Sequence, residues 1–223
     1  MFRSLPLAFL ISIILLCNSA ALANSGEVLD FGGLGNLQPV GNFYDGGSTG
    51  IPNYGVTFSS NVIALRPFSV GGSGNFSPTL LGTPAIFING TTGLQATGVM
   101  NVAPGFSSGL NFYFTAGFTA GQTETVTIWS GANGTGTVLA TLSLANNDGS
   151  CSSPAYCNWS NVGISFSSTA HSVTFSGPSD QLGLTDITLG SSHTAIPEPS
   201  SIYLLGIGLA GVSFGRMRDF LRL

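Results

Sequence analysis

The hydrophobic pattern between residues 24 and 195 has a period of two. In YGVTFSS, Tyr54, Val56 and Phe58 fall on one side, and Gly55, Thr57 and Ser59 fall on the other. LNFYFTA groups Leu110, Phe112 and Phe114, and ETVTIW sets Val126 and Ile128 against Thr125, Thr127 and Trp129. VGISFSS aligns Val162, Ile164 and Phe166, and HSVTFSG aligns Val173 with Phe175. Successive side chains point to opposite faces of a strand, so each run predicts a strand with one buried face. GANGTG, NNDGS and SGPSD lie between the runs and supply turns. No amphipathic helix of useful length is predicted. One apolar face per strand, with glycine-rich turns at short intervals, predicts two packed antiparallel sheets. The expected fold is all-β, an antiparallel β-sandwich of jelly-roll or lectin-like type.

Both ends of the chain depart from this pattern. The start, MFRSLPLAFLISIILLCNSAALANSG, has Arg3, an apolar stretch from Leu7 to Cys17, and the small residues Ala21 and Ala23 around Leu22. These are the parts of a secretory signal peptide, residues 1–23, cut between Ala23 and Asn24. The apolar stretch is short for a retained span of about 20 residues. A lipid-modified Cys17 is not expected, because bulky Leu16 precedes it. At the other end, Pro197-Glu198-Pro199 is followed by an apolar run from Ser200 to Gly215 and then by Arg216, Arg218 and Arg222. As a helix the run would be about 24 Å long, slightly short of the roughly 30 Å hydrocarbon core. Flanking Ser and Arg residues offset that mismatch. The arginines would hold the end on the cytoplasmic side, which leaves the body outside. The chain thus divides into a signal peptide, a sandwich body over 24–195, and a tail over 196–223. Within the tail the motif is 197–199, a transmembrane helix is expected at about 200–215, and the basic end is 216–223.

The order of proline-bracketed glutamate, apolar helix and arginines resembles the PEP-CTERM sorting tail of exported bacterial proteins. The resemblance implies that exosortase, a membrane transpeptidase, cuts near the tripeptide and passes the body to the cell envelope or extracellular matrix. The alternative is a plain single-span anchor. Prolines on both sides keep the motif extended and outside the helix, where a membrane enzyme can reach it. Asp219 interrupts the arginine cluster and FLRL extends beyond it, unlike the compact clusters of that family. The body, with LDFGGL, YGVTFSS, WSGANGTGTVLATLSL and LGLTDITLGS, resembles a recurrent ectodomain type of the same family. That likeness implies a sandwich akin to carbohydrate-binding modules and lectins.

Charge narrows the function classes. Only 6% of residues are charged, against about 25% in an ordinary soluble domain. There is no lysine, and Arg66 is the single basic residue between the termini, facing Glu27, Asp30, Asp45, Glu124, Asp148, Asp180 and Asp186. Such a body lacks the cationic surface that a phosphate backbone requires, which excludes nucleic acid as a partner. Gly 32 and abundant Ser and Asn could indicate disorder, but 43% hydrophobic residues with Phe 16 supply a core.

Candidate chemistry is sparse. Cys151 and Cys157, in CSSPAYC, are expected to form a disulfide in an oxidising compartment, rather than a redox or metal pair. GFSSG, Gly105 to Gly109, matches a serine-nucleophile elbow but is followed by a strand instead of a helix. His171 and His193 are the only possible bases. GIGLAG, Gly206 to Gly211, lies in the tail with no room for a nucleotide-binding unit, and Gly211 and Gly215 read as small tail residues. The periodicity changes parity near Asp186, where a bulge would re-aim its side chain. Lectin-like sandwiches bring first and last strands together, which makes Asp30 and Asp186 candidates for a structural Ca2+. Trp129, Tyr156 and Trp159 are the candidate carbohydrate contacts. The N-x-S/T triplets at Asn75, Asn89, Asn133 and Asn158 read as Asn-rich loops. The expected function is non-enzymatic: a structural or adhesive surface or matrix protein that binds extracellular polysaccharide. The runner-up is a secreted carbohydrate-active enzyme. Expected partners are the export machinery, exosortase and, before processing, the membrane.

Overall fold

The computed structural model describes residues 26–117 and 122–191. The signal peptide with its Ala23–Asn24 cut, His193, the Pro197–Pro199 motif, the apolar run, GIGLAG and the terminal arginines lie outside the described residues.

Among the described residues ten strands form one hydrogen-bonded antiparallel sheet: β1 Glu27–Leu29, β2 Gln38–Pro39, β3 Val56–Phe58, β4 Val62–Leu65, β5 Ala85–Ile88, β6 Gln95–Ala116, β7 Glu124–Trp129, β8 Val138–Leu144, β9 Ser160–Pro178 and β10 Leu182–Leu189. The sheet becomes a sandwich because β6 and β9, far longer than the other strands, belong to both layers. They pair from Gln95↔Pro178 to Phe114↔Ser160, with register breaks between Asn101 and Ser108. Before the breaks β6 lies between β3 and β9, and the layer continues through β7 to β8. After them β6 lies between β9 and β10, and β5, β4 and β2 complete the second layer, with β1 paired to the end of β10. Two sheets were expected from the pattern. Hydrogen bonding makes them a single sheet folded over, because the same two strands cross from one layer to the other.

The bend lies in GFSSG. Gly105 and Ser108 both have φ of +75°, and a Cβ at Gly105 would fall 2.6 Å from the Thr169 methyl and 2.9 Å from His171 Cε1. Only glycine fits there, so the motif is a strand bend and no helix follows it. β10 finishes and β1 begins at this bend end, and β4 finishes and β2 and β5 begin on the side toward it. The far end carries the start of β6 and the turn from β9 to β10.

The alternating runs form the core. Val56, Phe58, Met100, Val126, Ile128, Val173 and Phe175 from one layer meet Val62, Ile86, Ile88, Leu110, Phe112, Leu182 and Leu184 from the other in a single buried cluster. Phe112 and Phe175 meet edge to face across it, with ring centroids 6.4 Å apart. Val162, Ile164 and Phe166 pack against its margin. β4 and β5 read as continuous apolar runs, VIAL and AIFI, because both of their faces are covered. Their outer face carries a second cluster, Phe76, Ala85 and Phe87, with Leu65, Tyr156 and Trp159 packed on it. Among the described residues no helix is long and apolar enough to cross a membrane.

Candidate functional site

The second cluster needs a cover, and the disulfide loop provides it. Cys151 and Cys157 are bonded, with their Cα atoms 5.7 Å apart. Buried Asp148 holds the loop down. Its Oδ1 accepts from Cys157 N at 2.9 Å and Asn158 N at 2.8 Å, and its Oδ2 accepts from Thr115 Oγ1 at 2.6 Å. Asp148 and the two sulfurs lie within 4.8 Å of one another. With the sulfurs joined to each other they offer no thiolate pair to a metal. The loop is laid along residues 75–77, where Tyr156 N donates to Asn75 O and Ser77 N to Tyr156 O.

Between this loop and β2 a cleft of about 260 Å3 opens over β4 and β5. Ile63, Leu65 and Phe87 form its floor, Tyr156 and Leu37 its sides, and Asn75, Asn89 and Asp180 its polar contacts. Tyr156 rests edge-on against Phe87 at 6.2 Å and donates its hydroxyl to Asp180 O at 3.3 Å. Burial first, and then the Asp148 and Asp180 carboxylates, push the phenol upward, so it remains a neutral donor. Asp180 Oδ2 accepts from Thr92 Oγ1 at 3.1 Å. A smaller hollow, about 190 Å3, adjoins it between Phe68, Phe76, Pro78 and Pro154. An apolar floor with a few convergent amide, hydroxyl and carboxylate groups suits a ligand that alternates C–H faces with hydroxyls.

The three aromatics read from the sequence are separated. Tyr156 lines the cleft. Trp159 lies beneath the loop, edge-on to Phe76 at 5.9 Å, with its indole N–H donating to Ser77 O at 3.0 Å. Trp129 stands on the outer face of the other layer and donates to Thr174 Oγ1 at 3.0 Å. Phe87, Asn75, Asn89 and Asp180 were not read as one site, because residues distant in sequence meet only through strand pairing and the disulfide loop. The signal available was the buried-strand run AIFI beside two Asn-containing turns.

Asp30 and Asp186 are brought together as the sequence suggested. β1 pairs with β10 through Leu29↔Ile187, so the next residues, Asp30 and Asp186, fall side by side. The pairing of β10 with β6 breaks between Thr185 and Thr188, and Asp186 has φ of +50°, so the expected bulge is present. Asp186 is 7% exposed and its Oδ1 has no hydrogen-bond partner. Burial, and next the Asp30 charge, raise its pKa to about 6. Asp30 Oδ1 accepts from Gly32 N at 2.9 Å. The Tyr44 hydroxyl accepts from Phe31 N at 2.7 Å, and its pKa is raised, mainly by burial and in smaller part by both carboxylates.

Residues 195–218 match the PEP-CTERM protein-sorting motif. The match spans Pro197, Glu198 and Pro199 and reaches Arg216 and Arg218, as the order of the tail predicts. The chain therefore carries the signal of an exported, envelope-associated protein. No curated protein matches the chain. Solved structures similar to the body include the K2 cleaved adhesin domain of Lys-gingipain (13% identity, TM-score 0.44, covering 75% of this chain and 100% of that one). Others are the family 11 carbohydrate-binding module of Clostridium thermocellum (13%, 0.35, 75% and 97%) and a carbohydrate-binding module of Cellvibrio mixtus lichenase 5A (12%, 0.32, 60% and 89%).

Proposed function

We propose that this PEP-CTERM domain-containing protein is a non-enzymatic surface or matrix component whose sandwich binds neutral polysaccharide in the cleft over β4 and β5. One observation carries the reading: Tyr156 and Phe87 present apolar ring surface beside the polar groups of Asn75, Asn89 and Asp180. The acidic body and the Asp180 carboxylate disfavour an anionic ligand. Glycoside hydrolysis ordinarily uses two carboxyl groups flanking the bond, and the cleft is lined by one. In this reading exosortase acts at Pro197-Glu198-Pro199, the apolar run holds the chain in the membrane until then, and Arg216, Arg218 and Arg222 stay on the cytoplasmic side. The test is a panel of neutral polysaccharides titrated with the wild-type chain and with Tyr156→Ala. The variant is expected to bind at least tenfold more weakly, about 1.4 kcal/mol. Equal affinities would remove the cleft from the function. Hydrolysis of a polysaccharide that disappears in Asp180→Asn would replace binding with catalysis.

A second reading concerns Asp30 and Asp186. A hard cation needs several oxygen ligands, and a buried carboxylate oxygen without a partner next to a second carboxylate favours one here. Ca2+ would be held by Asp30 and Asp186 and would cancel their repulsion. Without the ion, the raised pKa of Asp186 means that the folded state binds the proton more tightly than the unfolded state. Its contribution is fully present below about pH 4 and lost as pH rises through about 6. Calorimetry at pH 7 is expected to show Ca2+ raising Tm in wild type and not in Asp186→Asn. An identical shift in both, or none in either, removes the ion from this place.

A further inference from the structure

Among the described residues six large apolar side chains are more than half exposed, and the fold does not scatter them evenly. Five of them, Leu37, Phe68, Val70, Leu80 and Leu81, are between 55% and 63% exposed. Leu37 immediately precedes β2. Phe68 and Val70 form the turn at the tip of the loop that leaves β4, a loop closed by Gly74 N donating to Arg66 O at 2.8 Å and Phe68 N to Gly74 O at 2.9 Å. Leu80 and Leu81 sit in the turn between Thr79 and Thr83 that leads into β5, where Thr79 Oγ1 donates to Thr83 O at 2.7 Å. The registers put the start of β2, the finish of β4 and the start of β5 at one end of the sandwich. That is the side toward the bend, level with Thr185 of β10, which finishes four residues on at Leu189. The sixth residue, Leu94, stands at the far end, before β6. Arg66, the single cation of the body, is exposed beside Phe68 on the same loop.

The exit of the chain selects the partner. Ser191 is the last described residue, and the apolar run of the tail begins at Ser200. Nine residue steps span no more than about 30 Å even when fully extended. A tail that enters a bilayer at Ser200 therefore keeps Ser191, beside the bend end, within about 30 Å of the headgroups. Exposed apolar side chains on loops with a neighbouring cation are the composition of an interfacial contact. The apolar groups enter the acyl boundary while the guanidinium stays among phosphates.

We propose that the bend end docks on the bilayer surface while the tail is in place, with Phe68, Val70, Leu80 and Leu81 inserted and Arg66 at the phosphates. The docking rests on the reading that the tail anchors the chain. It ends when the motif is cut.

The full chain is reconstituted into phosphatidylcholine and phosphatidylglycerol vesicles with brominated acyl chains, and indole emission is compared among wild type, Phe68→Trp and Leu94→Trp. Both altered positions are exposed, so neither change disturbs the core. The indole added by Phe68→Trp is expected to shift to the blue and lose most of its emission to the bromines, relative to the same chain in detergent. The indole added by Leu94→Trp is expected to remain unquenched. Vesicle flotation separates the two layers of the reading. A chain that fails to float overturns the anchor and the docking together. A chain that floats with both indoles equally accessible to water overturns the docking alone. Shielding at position 68 that appears only in membranes containing exosortase assigns this end to a protein partner instead and also overturns bilayer docking.

Discussion

Glu124 is an ionisable residue at an interior position. It begins β7 in phase with Val126 and Ile128, so its side chain points into the sandwich, fully buried, and neither carboxylate oxygen has a hydrogen-bond partner. Gly177 on β9 makes room for it, since any Cβ there would fall on the carboxylate. Burial raises the Glu124 pKa to about 8. The folded state therefore binds this proton more tightly than the unfolded state, and the contribution of Glu124 to stability is fully present below about pH 4.5. It declines as pH rises through 8, by a few kcal/mol in all. Urea denaturation should show wild type distinctly less stable at pH 9 than at pH 5, with Glu124→Gln flattening the difference and gaining stability at pH 9. A wild-type chain of equal stability at both values would show that the carboxylate finds a partner or water in solution.

At the scale of elements, the disulfide loop depends on Asp148 as much as on the cystine. A closed loop this short contributes about 2 kcal/mol in the chain-entropy model. Removing Asp148 leaves Cys157 N, Asn158 N and Thr115 Oγ1 without their charged acceptor. Bonds to charged groups contribute about 1.5–3 kcal/mol each. Asp148→Ala should therefore cost about 3 kcal/mol or more in urea unfolding and weaken polysaccharide binding, because Tyr156 rides on the same loop. Combining it with Cys151→Ser and Cys157→Ser should cost less than the separate losses added together, since both act on one loop. A change within about 0.5 kcal/mol for Asp148→Ala would mean that the cystine alone holds the loop.

For the molecule as a whole, the tail is an address and the sandwich is the cargo. Intact mass of the mature protein from its native cells should place the new C-terminus near Pro197 to Ser201, with Asn24 at the new N-terminus. Replacing Glu198 with Gln should leave the chain uncut and in the membrane fraction. A wild-type chain that runs to Leu223 would make the tail a permanent anchor.

The local pattern determined which side chains face the core. Alternation at Val126/Ile128, Leu110/Phe112/Phe114 and Val173/Phe175 assigns the inner faces without reference to partners, because side-chain direction in a strand depends only on position parity. The tail was legible for a similar reason: its prolines, apolar run and arginines are contiguous in sequence and match a known sorting signal over residues 195–218. The neighbouring of Asp30 and Asp186 was legible in part, since the parity change showed the bulge but not the burial of Oδ1. Tertiary structure alone decided that GFSSG bends a strand through both layers, because Gly105 is required by Thr169 and His171 across β9. It also decided that Tyr156, Phe87, Asn89 and Asp180 share a cleft while Trp129 stands on the opposite layer. Contacts between residues far apart in the chain are set by strand order and register, and a one-dimensional pattern carries parity without carrying partners.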